Sequence, residues 1–386
     1  MKVVTYGLAG WPIWVSLFAA LGSACSGANG AGFGDGGAPP ATDTGAGSSD
    51  SGGSHPGDSS YSTEGGIMLG DGSTPKDGGS ADVIVTSVTT VYAHTDTALY
   101  SLDPKAMPPT LALIGSFSGM GDGAYNAITD LAVNAEGEVY VNTESAVFKA
   151  DVPTSPGPVN LSLIATIATA KDQYFYALAF APKGFLGSGE TLVGGDGSGE
   201  LYAIDTTGGT LQDLGNFGGV PGTTNGDFFG LSGDVVFYTD AMGTPTGMAT
   251  IRSCSTSSKG DTTCTSTDDY LAGIDMTALA AAYTSGKKAT SLLGGIYGGS
   301  TTSVGTGTMY GDIFGLGAWG DTVYGFTRAN KTTSTPYLLS ISTTTGLGSI
   351  VPSSPGFTTD GWSGAGVTTT VTITVPPPPK APPQPQ

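Results

Sequence analysis

Between residues 88 and 375 apolar and polar positions alternate in short runs, and Gly, Asp, Ser and Thr fill the gaps between them. Alternation with a period of two is the mark of strands with one buried face. A longer repeat lies over it. Apolar segments rich in small residues recur as Ile-Thr-Asp-Leu-Ala-Val at 128–133, Phe-Tyr-Ala-Leu-Ala-Phe at 175–180, Phe-Phe-Gly-Leu-Ser-Gly at 228–233 and Ile-Phe-Gly-Leu-Gly-Ala at 313–318, with a weaker copy at 361–367. Each of the first four is followed by an alternating strand, at 138–142, 190–194, 234–238 and 321–325. A third strand comes next, at 146–151, 200–205, 250–253 and 337–341. Segments 161–166 and 211–217 add a fourth.

Repeated units of four short antiparallel strands predict an all-β chain folded as a β-propeller. Small residues suit the first strand of each unit, because first strands converge on a central axis with little side-chain room. Five first strands mean five four-stranded blades. One gap between first strands is about 85 residues rather than about 50, which would also admit a sixth blade. Segments 88–93, 99–103 and 111–117 supply three strands ahead of the first copy. Segment 361–367 would complete that blade and close the ring, hiding the sheet edges. Segment 371–375 is then left over, as an extra edge strand or as a sign that the register is shifted. The long gap reads as an insertion over 254–293. It carries a helix expected at 275–284, with Asp268 and Asp269 upstream and Gly286, Lys287 and Lys288 at its exit.

The unit at 200–217, Glu-Leu-Tyr-Ala-Ile-Asp-Thr-Thr-Gly-Gly-Thr-Leu-Gln-Asp-Leu-Gly-Asn-Phe, resembles propeller repeats of secreted quinoprotein-like and lactonase-like proteins. Segments 99–103 and 111–117 are similar. The resemblance covers most of 83–375 and implies the fold. It brings no catalytic motif with it.

Ahead of the strands the pattern changes. Lys2 precedes an uncharged apolar run from Val3 to Leu21, and small residues lead to Cys25. This is the layout of a signal peptide, here 1–24. A cysteine behind small residues resembles the lipid-attachment site of bacterial lipoproteins. That resemblance implies a mature chain beginning at a lipidated Cys25. Ser26 beside it, by the same resemblance, implies the outer membrane of a cell envelope. Ordinary cleavage after Ala24, giving a secreted or periplasmic protein, is the rival reading. A membrane-spanning helix is a weaker one, because Thr5, Gly7, Gly10, Pro12 and Ser16 interrupt a barely sufficient run. From Ser26 to Asp82 the chain is Gly, Ser, Asp, Thr, Ala and Pro, too poor in apolar groups to offset its ordering entropy. The segment 25–82 is therefore expected to be an anchor followed by a disordered tether with a reach of about 40 Å. The Pro-rich segment 376–386 should be an extended or disordered tail.

Net charge sharpens the picture. At −19, with no basic cluster, the chain lacks what binding to phosphate backbones needs, so nucleic acid is excluded. Three cysteines divide as Cys25 for lipid and Cys254 with Cys264, which close a short polar loop and should form a disulfide in an exported protein. Two cysteines with no histidine nearby make a poor zinc site.

Candidate chemistry is sparse. His55 lies in the tether, and His94 ends an alternating strand between Tyr92 and Asp96, so neither a multi-histidine metal centre nor an ordinary Ser-His-Asp set has its parts. Asp227 and Asp312 stand in register, each preceded by Gly and followed by an inner strand. They could face one channel mouth and bind a sugar or a cation, calcium being the ion such oxygens suit. Capping of local turns by the same side chains is the competing account. The loop 195–200 has alternating oxygen ligands, which a Gly-rich hairpin turn explains better than calcium. Aromatics Tyr174, Phe175, Tyr176, Phe228, Phe229, Phe314 and Trp362 cluster at inner-strand starts, mostly as core, with Trp362 a candidate for the ligand mouth. The expected protein is a monomeric envelope lipoprotein displaying a propeller that binds or scaffolds a protein or glycan ligand without catalysis and without a cofactor. The competing expectation is a lactonase-like or carbohydrate-active enzyme that uses carboxylates at the mouth.

Overall fold

The computed structural model describes residues 90–120, 127–167, 174–223, 226–240, 242–257, 262–265, 268–300, 303–328, 335–352 and 361–374. Cys25, the signal segment, the tether and the tail 376–386 lie outside the described residues. The chain opens with β1 (Val91–His94), β2 (Ala98–Asp103) and β3 (Thr110–Ser118). The second blade is β4 (Asp130–Val133), β5 (Val139–Asn142), β6 (Ala146–Asp151) and β7 (Val159–Thr166). The third is β8 (Phe175–Ala181), β9 (Thr191–Asp196), β10 (Glu200–Ile204) and β11 (Leu211–Asn216). The fourth is built from β12 (Phe228–Asp240), β13 (Pro245–Thr256), the short β14 (Thr262–Cys264), β15 (Tyr270–Ile274), the helix α1 (Met276–Ser285) and β16 (Leu293–Ile296). The fifth is β17 (Ile313–Trp319), β18 (Thr322–Thr327), β19 (Leu338–Ile341) and β20 (Gly348–Ile350).

Last comes β21 (Gly364–Gly366), which pairs antiparallel with β1 and so completes the first blade from the far end of the chain. The inner strands then form a closed ring, with β4 against β8, β8 against β12, β12 against β17, β17 against β21 and β21 against β4. This is a five-bladed all-β propeller. Closing one blade with strands from both ends ties the ring, since opening it would break that sheet.

Burial explains why the inner strands read as small and apolar. All of β4 is buried and β8 nearly so, because the neighbouring blades cover both faces. Outer strands such as β7 alternate between buried and exposed positions. The core lies between consecutive blades as four apolar clusters rather than on the axis. Trp362 sits in one of them, edge-on to Tyr100 and Phe326 at 5.1 Å and 5.7 Å between ring centroids.

The fourth blade departs from expectation. Segments 228–233 and 234–238 were expected as a first and a second strand, but they form the single strand β12, with a bulge between Leu231 and Val235. The bulge forms because Asp234 does not cap a turn. Its carboxylate is taken by the amides of Val235 and of Leu316 on the next blade, each at 2.5 Å. Gly233 has no side chain, and a Cβ there would overlap the backbone of Phe314. Consequently 250–253, expected as a third strand, falls within the second strand β13, residues 270–296 supply the third and fourth strands β15 and β16, and the inserted parts are β14 and α1. The disulfide Cys254–Cys264 pairs across β13 and β14. Helix α1 lies one residue beyond the expected span. Its N-cap is Asp275, which accepts from Thr277 and Ala278 amides at 3.0 and 2.9 Å, and its C-cap is Gly286 in the left-handed region at φ 67°. Gln212 of β11 donates to the Tyr283 carbonyl at 2.7 Å and holds the helix against the third blade. The leftover C-terminal segment contributes β22 (Thr372–Ile373), which pairs parallel with the end of β12.

Candidate functional site

At the ends of the inner strands where they enter the ring, a cavity of about 670 Å³ opens on the axis. Every blade lends it a side chain, including Asp96, Glu144, Tyr176, Arg252 and Arg328 in blade order. Its size falls within the range of roughly 300–1,000 Å³ that small-molecule sites occupy. Deeper on the axis the inner strands leave a void of only about 10 Å³, so the cavity is a mouth above a packed ring.

Arg252 and Arg328 are the two arginines of the whole chain, and both point into this mouth. They are held differently. Arg328 donates from Nη2 to Asp96 Oδ2 at 2.7 Å, and Asp96 also accepts from the Ser363 hydroxyl. This joins the β1–β2 turn to the fifth blade. Arg252, on β13, donates from Nη2 to the Ser232 carbonyl at 3.0 Å. Its Nη1 lies 3.5 Å from Asp312 Oδ1, and its Nε has no acceptor. Asp312 sits at φ 56°, and its carbonyl accepts from the Arg328 amide at 2.9 Å, so one residue braces both arginines.

Beneath the mouth lies a layer of buried acids. Asp269, fully buried, accepts from the Ser232 hydroxyl at 2.5 Å and from the Ile313 amide of the fifth blade at 2.7 Å. Burial pushes its carboxyl up to about 7, against the pull of Ser232, the Ile313 amide and the Arg252 charge. On the axis Asp130 and Asp234 meet each other, both fully buried. Asp130 accepts from the Leu131 amide at 2.8 Å and from Leu178 of the third blade at 2.7 Å. Burial raises both carboxyls well above the ordinary range, and for Asp130 the neighbouring Asp234 charge adds to it. The pair therefore keeps a proton at pH values where ordinary carboxyls have lost theirs. Each of these acids takes an amide from another blade, so they act as staples around the ring.

His94 is fully buried beside Asp130, and a Cβ on Gly364 would overlap both. Its Nδ1 is bonded to the Thr95 carbonyl at 2.8 Å, and burial holds its ring down to about 4. It does not line the mouth.

The residues singled out from sequence fall in different places. Neither Asp227 nor Asp312 lines the cavity itself; Asp312 is tied to it through Arg252, 3.5 Å away. Trp362 is 0% exposed and belongs to the core between the first and fifth blades, out of reach of any ligand at the mouth. The loop at 195–200 is a hairpin turn, with Asp196 Oδ1 accepting from the Ser198 amide at 2.9 Å. Among the described residues no group of three or more His, Cys, Asp and Glu is disposed to hold a metal ion. Of the aromatics, Phe175 and Phe229 are core, while Tyr174 and Tyr176 are exposed and Phe314 lines the mouth. Sequence reasoning missed Arg252, Arg328, Asp130, Asp234 and Asp269. The scarcity of arginine was a signal for the first two, and an Asp inside an apolar small-residue strand was a signal for Asp130.

No protein-family model matches the chain, and no curated protein matches it. Among solved structures it is similar to a protein from Lactobacillus plantarum, with 11% identity, 72% of this chain and 98% of that one covered, and a TM-score of 0.34. It is also similar to BamB from Moraxella catarrhalis, with 12% identity, 68% and 74% covered, and a TM-score of 0.26. The computationally designed Ika8 protein shows 12% identity over 73% of this chain with a TM-score of 0.27, and the chain spans 63% of that protein's length. The propeller assignment rests on the strand pairing itself.

Proposed function

We propose that this protein is a binding propeller of the bacterial cell envelope, carried on a lipidated Cys25 and a tether, which takes a small ligand at the channel mouth without converting it. The observation that carries the binding reading is the convergence of both arginines and of side chains from all five blades on one mouth. Two further observations support the absence of turnover. The acids with raised pKa, Asp130, Asp234 and Asp269, are buried and engaged with backbone amides. His94, the described histidine, lies under the mouth and not in it. The anchor proposal is supported by sequence, and an intact mass showing an N-terminal Cys25 with added acyl chains is its expected outcome.

The binding reading is tested on the full chain. Small solutes of several classes are screened by hydrogen–deuterium exchange, with Gly197→Phe as the blocking variant, since a side chain there would lie over Tyr176. Protection at 231–233 and 252 that disappears in the blocked variant, with the solute recovered unchanged, is expected. Protection confined to outer turns, or chemical conversion of the solute, would refute it. Conversion would instead favour the enzyme reading, in which carboxylates at the mouth such as Glu144 would act.

A further inference from the structure

The two guanidinium groups at the mouth are not equivalent. Arg328 is bonded to Asp96 at a distance of 2.7 Å, as a charge-assisted pair should be. Arg252 is under-used. Of its five donors, one meets Ser232, Nε is buried without an acceptor and out of a ligand's reach, and the approach of Nη1 to Asp312 at 3.5 Å is longer than the roughly 2.7–2.9 Å of a formed ionic hydrogen bond, which leaves the Nη1–Nη2 edge as the under-used one. The side chain is only 19% exposed. A guanidinium withdrawn from water with empty donors is costly, and a planar oxyanion matches its fork.

Beside it stands Tyr176, 38% exposed, with a hydroxyl that lies in the fields of both Glu144 and Arg252. Gly197 leaves that ring uncovered, since an added Cβ would already touch it at 3.6 Å. The mouth thus offers an anion site, an open aromatic face and an acceptor carboxylate at Glu144, which suits hydroxyl donors. The net charge of −19 repels anions at a distance, so recognition must be short-range and suits a short ligand with one or two carboxylates better than a polyanion.

Resting on the mouth as the ligand site, we propose that its occupant is an acidic sugar. The hexuronate carboxylate sits on Arg252, the C–H face of the ring lies on Tyr176, and the hydroxyls donate to Glu144. The test uses the full chain with digalacturonate, the neutral disaccharide cellobiose, and glutamate, by calorimetry and hydrogen–deuterium exchange. Digalacturonate is expected to bind and to protect 231–233 and 252, with cellobiose at least about tenfold weaker for want of the charge-assisted bond. Arg252→Gln is expected to lose about tenfold or more for digalacturonate and to leave cellobiose unchanged. Tyr176→Ala, an exposed change that does not threaten folding, is expected to weaken both sugars several-fold. Equal binding of cellobiose, or glutamate binding as tightly as digalacturonate, would overturn the assignment. If digalacturonate fails while cellobiose or glutamate protects the mouth, the acidic-sugar inference falls and the binding reading stands. If solutes of every class leave the mouth unprotected, both fall.

Discussion

Asp269→Asn is the substitution whose effect can be worked out most fully. Asp269 is completely buried, with its Oδ2 taken by Ser232 and Ile313. In the unfolded chain its carboxyl titrates near 3.8, and in the folded ring near 7. A raised folded value means that the fold prefers the protonated acid. Its contribution is fully present below pH 3.8 and declines as pH rises, because the unfolded chain then gains by ionising while the folded one cannot. The decline ends above the folded value of about 7. Those limits are roughly three pH units apart, worth about 4 kcal/mol at about 1.4 kcal/mol per unit. Asn cannot ionise and retains one oxygen for the same donors. Below pH 4 the variant should therefore unfold at nearly the wild-type denaturant midpoint, and its stability relative to wild type should rise by about 4 kcal/mol between pH 4 and pH 8. Urea titrations at several pH values, followed by the fluorescence of the buried Trp362, measure this directly. Comparing the two proteins at each pH cancels the Asp130–Asp234 pair, which pulls in the same direction. Parallel stability curves from pH 4 to pH 8 would refute the reasoning.

Three further outcomes follow from the same geometry. Gly364→Ala drives a methyl into Asp130 and His94, two groups fixed by their own hydrogen bonds, and should cost about 1–3 kcal/mol or prevent ring closure; an unchanged thermal midpoint would contradict that packing. Replacing Cys254 and Cys264 together by Ala should cost about 2–3 kcal/mol by releasing the β13–β14 hairpin, and a reductant should have no further effect on that variant's thermal midpoint. Millimolar calcium should leave the thermal midpoint unmoved, because Asp312 faces Arg252 and no group of three or more acidic or other ligating side chains is gathered among the described residues; a calcium shift abolished by Asp227→Ala would show that these acids do gather round an ion.

The blade repeat was legible because each blade is almost entirely one contiguous stretch. The alternation in β7 and the small residues of β4 and β8 record burial that neighbouring strands in the chain impose locally. Ring closure by β21 was also readable, since one inner-strand copy was missing at one end and present at the other. Residues 228–240 were misread for the opposite reason. Ser232-Gly233-Asp234 has the composition of a turn, and only the Leu316 amide of another blade makes it a bulge in one long strand. Trp362 illustrates the same limit, because its position in the pattern gave no hint whether it faced the mouth or the core.

By itself the sequence pointed to an all-β chain of repeated four-stranded units, five or six in number, and to a pairing of Cys254 with Cys264. These follow from local period, composition and short separations. The tertiary structure alone decided the site. Arg252 and Arg328 lie on different blades, as do Asp130 and Asp234, and each pair meets only because the ring brings inner-strand ends to one axis. Such meetings depend on closure over long stretches of chain. No local pattern encodes them, and the chemistry of the mouth becomes visible only once the ring is closed.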